Sequence, residues 1–287
     1  MLPENFAVFI LSHGRADNVI TYKTLQRSGY TGRVYIVIDN EDKQASKYYQ
    51  NFGDKVIMFD KAAEAEKTDC GDNFDGRGIV VYARNAVFDI AEGLGIEYFF
   101  VLDDDYTGFC YTFNDKYEYI NNMRANILSF NDFVFSAISF YKSINALTIT
   151  FAQSGDKIGG KNSNFFEAIK TKRKAMNSFL CSTKKRFNFF GRVNEDVNSY
   201  VSCGNKGGLF LTVNNAFVYQ ITTQQNKGGL TETYLEQGTY VKSFYTVMYQ
   251  PSSVKIGLMG DTHKRLHHSI DWDCTVPCII SEDFRKT

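Results

Sequence analysis

Four short apolar runs, each closed by polar residues and separated by spans of helical character, set the fold class of this chain. They are Phe6-Ala7-Val8-Phe9-Ile10-Leu11, Val34-Tyr35-Ile36-Val37-Ile38, Val56-Ile57-Met58-Phe59 and Tyr98-Phe99-Phe100-Val101-Leu102. None alternates apolar with polar, so each run is apolar on both sides. Strands of that kind belong in a parallel sheet covered on both faces. The covering helices are expected over residues 18–28, closing at Gly29, over residues 43–52, closing near Gly53, and over residues 79–93. The alternation predicts an α/β architecture: Rossmann-like, with a mostly parallel central sheet and helices on both faces.

The second half is less regular. Residues 127–144 carry helix-like spacing at Ile127, Phe130, Val134, Ala137, Ile138 and Tyr141, and residues 146–152 read as a strand before a Gly-rich stretch at 154–164. Residues 208–213 and 216–222 read as two further strands. No repeat or break in composition divides the chain, so residues 1–287 are expected to form a single domain with an elaborated C-terminal half. A content of 18 Tyr and 25 Phe is ample for a large core.

Thirty-two basic and 32 acidic residues cancel, so the net charge gives no argument for a polyanionic partner. One local bias remains. Residues 170–186 hold Lys170, Lys172, Arg173, Lys174, Lys184, Lys185 and Arg186 and no acidic residue. That segment suits a phosphate-bearing acceptor such as DNA, with Phe179, Phe187, Phe189 and Phe190 available to stack on an exposed base; the bland alternative is a solvated basic helix face. Cys274 and Cys278 lack the second pair that a zinc site needs, and the six cysteines are expected as free thiols. No stretch approaches the ~20 apolar residues of a membrane span, and a soluble, cytoplasmic protein is expected.

Chemistry concentrates where the strands end. In parallel sheets ligands bind beyond the carboxyl ends of the strands. There stand His13-Gly14-Arg15, Asp39 and the triplet Asp103-Asp104-Asp105. Three adjacent carboxylates raise one another's pKa unless a cation joins them, and hard carboxylate oxygens suit Mg²⁺ or Mn²⁺, whose shell a phosphate-bearing ligand completes. Gly14 permits close backbone approach, and Arg15 can clamp a phosphate or stack on a base. Arg84, on the helix before the triplet, can pair with a phosphate or with one of the aspartates, and Asn85 can hydrogen-bond a nucleotide.

The ordered set His13-Gly14-Arg15, Arg84-Asn85, Asp103-Asp104-Asp105 and Asn194-Glu195-Asp196 resembles glycosyltransferases of the GT-A fold. It looks most like the phage TET-associated glycosyltransferases, implicated in adding sugars to 5-hydroxymethylated pyrimidines in DNA. The resemblance implies a nucleotide-sugar donor with Mn²⁺ or Mg²⁺. It makes Asp103 and Asp105 the D-x-D pair: Asp105 the principal metal ligand, Asp103 a second ligand or the ribose contact, and Asp104 part of the same nucleotide site. His13, Gly14, Arg15, Asp39, Arg84 and Asn85 would bind the nucleotide. Asp196, with Glu195 second, would take the proton from the acceptor hydroxyl. His263 would be a further metal ligand, with His267 and His268 as alternatives, and Lys264 and Arg265 would close over the diphosphate. Residues 1–110 would form the nucleotide-binding half and residues 111–287 the acceptor half. A phage enzyme of this kind would work in the host cytoplasm. A metal-dependent nuclease or phosphotransferase, and a non-catalytic nucleotide-sugar or DNA-binding protein, are the competing classes.

Overall fold

The computed structural model describes residues 2–116, 118, 125–153, 169–220, 240–259 and 264–277. The first half follows the apolar runs: β1 (Phe6–Leu11), α1 (Ile20–Arg27), β2 (Arg33–Asp39), α2 (Ala45–Phe52), β3 (Val56–Phe59), α3 (Lys61–Lys67), α4 (Val81–Gly93) and β4 (Tyr98–Asp103). There follow β5 (Tyr106–Tyr111), β6 (Ala125–Asn126), α5 (Phe130–Ser143), β7 (Thr148–Ala152), β8 (Ile169–Lys170) and β9 (Phe179–Ser182). The order continues with α6 (Glu195–Asn205), β10 (Phe210–Gln220), α7 (Val241–Tyr249), β11 (Val254–Met259), β12 (Arg265–Ile270) and α8 (Trp272–Thr275).

The main sheet runs β3-β2-β1-β4-β9-β7-β10-β5-β6, with β8 added beside β10. Strands β3, β2, β1 and β4 are mutually parallel, and β7 and β10 point the same way as they do, because β9 is antiparallel to both β4 and β7. The expected mostly parallel α/β sheet is therefore what forms. Side chains of β1 alternate between two cores: Phe6, Val8 and Ile10 pack with α1, α2 and α5, whereas Ala7, Phe9 and Leu11 pack with α4 and α6. Burial on both faces explains the unbroken apolar runs.

Local sequence sets several boundaries. The Ser129 hydroxyl accepts from the Asp132 amide and starts α5, and Asp60 accepts from Ala63 to start α3. Gly29 closes α1 at φ +75°, where a Cβ would lie 2.6 Å from the Leu128 carbonyl oxygen, so only glycine fits.

Helix α3 was not expected from the sequence, and two features of the sheet differ from the expectation. The segments 208–213 and 216–222 join as one strand, β10, whose register along β7 shifts between Val213 and Phe217. The irregularity has a purpose. Only two residues separate the end of β4 from the start of β5, yet β5 joins the sheet beyond β10. The second half of β10 must swing back towards the end of β4, and Gln220 there donates to Asp105 at 3.4 Å. The second difference is β9, which was hidden inside the basic segment 170–186 and crosses the sheet against the parallel direction, pairing Phe179 with Val101 and Ser182 with Tyr98.

Candidate active site

Strands β1, β2 and β4 end in register, with Leu11 opposite both Val37 and Asp103. His13, Gly14, Arg15, Asp39 and the triplet consequently gather at one edge. Asp39 is buried and doubly paired: Oδ2 lies 2.7 Å from His13 Nδ1, and Oδ1 accepts from Lys61 Nζ at 3.0 Å. The hydrogen bond to Asp39 raises the His13 pKa against the cost of burial. Gly14, at φ +68°, donates its amide to Asp42 Oδ2 at 2.7 Å. Lys61, Asp42 and Tyr48, whose hydroxyl bonds to Ser12 and to the Arg15 amide, support this edge and carry no sequence signal of their own.

The three aspartates do not act alike. Strand geometry sends alternate side chains to opposite faces. Asp104, only 3% exposed, turns towards β1. Its Oδ2 accepts from Ser12 Oγ at 2.6 Å and its Oδ1 from Arg15 Nη1 at 2.8 Å. Both oxygens of Asp104 are thus engaged, and the side chain holds Arg15 at the site edge. Asp103 and Asp105 face the other way. Burial pushes Asp103 up to about 7, with Arg84 opposing and Asp105, Asp104 and Glu195 adding like charge. Burial and Asp104 raise Asp105 as well. Its Oδ1 is buried and accepts no hydrogen bond among the described residues.

Arg84 joins the two acidic motifs. It is 2% exposed on α4. Nη2 lies 3.4 Å from Asp103 Oδ1, and Nε lies 3.3 Å from Glu195 Oε1. The rings of Phe179 and Phe189 lie 5.1 and 5.5 Å from the guanidinium carbon. A buried cation thus spans from the end of β4 to the start of α6. Burial, with like charge from Asp196 and against the pull of Arg84, lifts Glu195 to about 7. Asp196 accepts from the Val197 amide at 2.7 Å. Asn194 adopts a left-handed φ of 57°, and its side chain does not cap the helix. Its amide turns instead to the Lys242 carbonyl at 2.9 Å and to Thr246.

Asn85 is engaged with the chain before α6. Its amide nitrogen donates to the Phe189 carbonyl and its oxygen accepts from the Phe189 amide, each at 2.8 Å. Lys264 is exposed just before β12, and no described contact brings it to the triplet. His263 lies outside the described residues.

The basic segment is not one continuous face. Because β9 crosses the sheet, Lys170, Lys172, Arg173 and Lys174 stay at the site edge while Lys184, Lys185 and Arg186 emerge at the opposite edge. There Lys184 pairs with Glu97 at 3.0 Å, Arg186 pairs with Asp89, and Lys185 donates to the carbonyls of Ile144 and Ala146. Phe179, Phe187 and Phe189 are core residues, which removes them as stacking platforms.

The donor set can hold a divalent cation. Asp105 offers an unpartnered buried oxygen, and Asp103 lies beside it with a pKa raised by burial and, after that, by neighbouring carboxylates. Among the described residues no three His, Cys, Asp or Glu side chains converge to hold an ion by themselves. A cation here would share its shell with ligand oxygens, as Mg²⁺ and Mn²⁺ commonly do.

Residues 6–229 match the TET-associated glycosyltransferase family. No curated protein matches the sequence. Among solved structures, S. aureus TarS 1-349 is similar at 11% identity and a TM-score of 0.43, covering 76% of this chain and 61% of that one. M. tuberculosis glucosyl-3-phosphoglycerate synthase, in complex with Mn²⁺, uridine-diphosphate and phosphoglyceric acid, is similar at 7% identity and a TM-score of 0.45, covering 92% of this chain and 86% of that one. This chain spans less than two thirds of TarS, and at these scores neither likeness informs the site. The family match takes in all the residues that gather at the strand ends and at the start of α6, so the chain belongs to the TET-associated glycosyltransferase family.

Proposed function

We propose that the enzyme moves a sugar, with the help of Mn²⁺ or Mg²⁺, from a nucleotide-sugar to a hydroxyl on DNA. The acceptor is 5-hydroxymethylpyrimidine in phage DNA or a sugar already attached to it. The observation that carries the reading is the Arg84 bridge. It ties Asp103 of the D-x-D pair to Glu195, with Asp196 in its field, so that a donor end and an acceptor end lie side by side.

Residues 1–110 serve the donor. Arg15, held by Asp104, presents its guanidinium to the nucleotide, and His13, held by Asp39, presents a half-exposed imidazole. Asp105 and Asp103 hold the cation, with His263 a candidate third ligand. Bound there, the cation supplies charge neutralisation to the diphosphate as the glycosidic bond breaks. Lys264 is assigned to the same diphosphate.

Residues 111–287 serve the acceptor. Asp196 is the base that accepts the proton of the attacking hydroxyl. Glu195 is the weaker candidate because its charge is committed to Arg84 and its raised pKa leaves it partly protonated near neutrality.

The test is incubation of the protein and Mn²⁺ with nucleotide-sugars and an oligonucleotide carrying 5-hydroxymethylcytosine, read by mass spectrometry. One donor should add the mass of one sugar residue to the modified strand and leave unmodified DNA unchanged. Cleavage of DNA without a donor would instead identify a nuclease. Donor binding without transfer to any hydroxyl would identify a binding protein.

A further inference from the structure

Two backbone irregularities meet beside Asp105. The first is Asn177, just before β9, which takes a left-handed φ of 59°. The Ser178 amide donates back to the Met176 carbonyl at 2.7 Å and closes a three-residue turn about it. Such a turn with positive φ at its centre is rare and strained. Tyr106, fully buried directly after the triplet, donates its hydroxyl to the Asn177 carbonyl at 2.7 Å and pins the turn in place. The second irregularity is the end of β10. Its register along β5 shifts between Tyr219 and Gln220 and leaves Gln220 opposite Tyr106. A break of this kind re-aims a side chain.

The two amide side chains fall into one line. Arg84 Nη2 donates to Asn177 Oδ1 at 3.4 Å, Asn177 Nδ2 donates to Gln220 Oε1 at 3.3 Å, and Gln220 Nε2 donates to Asp105 Oδ2 at 3.4 Å. The two ends fix the direction of the line. A guanidinium only donates, so Asn177 turns its oxygen to Arg84 and its nitrogen to Gln220. An ionised carboxylate only accepts, so Gln220 turns its nitrogen to Asp105. The same Arg84 nitrogen lies 3.4 Å from Asp103 Oδ1. Side chains from α4, the turn before β9 and the end of β10 thereby close a ring from Asp103 round to Asp105.

The ring engages one oxygen of Asp105 and spares the other. Oδ1 is buried and has no hydrogen-bond partner among the described residues. A carboxylate held through one oxygen presents the other in a set direction, as the groups behind metal ligands commonly arrange.

We infer that Asn177 and Gln220 are positioning residues for the metal-binding carboxylate: Asn177, braced by Arg84 and Tyr106, orients Gln220, and Gln220 fixes Asp105 with Oδ1 directed at the cation. This role rests on the reading of Asp105 as a metal ligand. The alternative is that Asn177 serves only its turn, since asparagine tolerates positive φ better than most residues. Asn177→Gly separates the two, because glycine keeps the turn and removes the amide.

The experiment measures the Mn²⁺ concentration that half-saturates thermal stabilisation of the protein by ADP, CDP, GDP or UDP, each taken in turn. Wild type is compared with Gln220→Met, Asn177→Gly and the double variant, and thermal midpoints without ligand are recorded for all four. With the diphosphate that stabilises wild type, Gln220→Met should raise the Mn²⁺ requirement about 10- to 100-fold, the usual cost of losing a group that orients a metal ligand. Asn177→Gly should raise it about tenfold. The double variant should lose no more than Gln220→Met alone, because Asn177 acts through Gln220. Midpoints without ligand should stay at the wild-type level. A wild-type Mn²⁺ requirement in either single variant, or losses that add in the double variant, would overturn the arrangement. So would losses matched by a fall in the ligand-free midpoint, which would make both residues structural. If no diphosphate stabilises wild type with Mn²⁺, the reading of Asp105 as a metal ligand fails and the positioning role falls with it.

Discussion

Beside β1 and β2 each carboxylate has its own partner: Asp39 holds His13 and Lys61, and Asp104 holds Arg15 and Ser12. Around Arg84 the accounting is different, because one guanidinium serves both Asp103 and Glu195 and also sits in the field of Asp196. The first region is neutral as built and can hold its shape before any ligand arrives. In the second, one guanidinium faces several carboxylates, and Asp103, Asp105 and Glu195 have pKa values raised by burial first and by neighbouring carboxylates after it. The contrast is the reason for placing the proposed cation and phosphate-bearing ligand on the second side.

The largest expected effect comes from the second side. Asp105→Ala should abolish metal-dependent nucleotide binding, measured by calorimetry, because the orphaned oxygen at the site is removed. Binding with unchanged affinity and metal requirement would break the comparison. Asp196→Asn should lower the rate of sugar transfer by about 10²- to 10⁴-fold while nucleotide binding persists, the loss typical of a general base. Equal losses in binding and rate would instead make Asp196 a structural residue.

Arg84→Met should destabilise the fold by about 3–5 kcal/mol in chemical denaturation, since it leaves buried Glu195 and half-buried Asp103 without their cation. A loss under about 1 kcal/mol, the worth of a surface pair, would show that the bridge is not buried in solution. The smallest effect is in pH dependence. Glu195 has a folded pKa raised to about 7, above its ordinary value, so the folded state holds the proton through that interval. Its contribution to stability is therefore full in mild acid and is lost as pH rises towards and through about 7. The wild type should lose more stability than Glu195→Gln as the pH rises through that window. Parallel curves would remove Glu195 from the coupled set.

Much of the first half was written in the sequence. Its strands are buried on both faces and so are uniformly apolar, and their polar closures are the site residues themselves. What escaped has physical causes. Strand β9 is four residues between basic neighbours, and its partners β4 and β7 lie far away in sequence. Helix α3 is polar and short, marked only by Asp60 at its start. The bend in β10 looked like a gap because Asn214 and Asn215 interrupt the apolar pattern. Within the site, sequence order found both acidic motifs, but it could not assign Asp104 inward or give Asn85 to Phe189. Those depend on side-chain direction and on a chain segment a hundred residues on.

The most direct test of the account is a calorimetric titration of the wild-type protein with a panel of nucleoside diphosphates, each with Mn²⁺ and again with a chelator. The Asp103 and Asp105 pair predicts that one diphosphate binds when Mn²⁺ is present and that its affinity collapses when the metal is removed. Binding that is equally tight with the chelator, or no binding of any diphosphate in either condition, would contradict it.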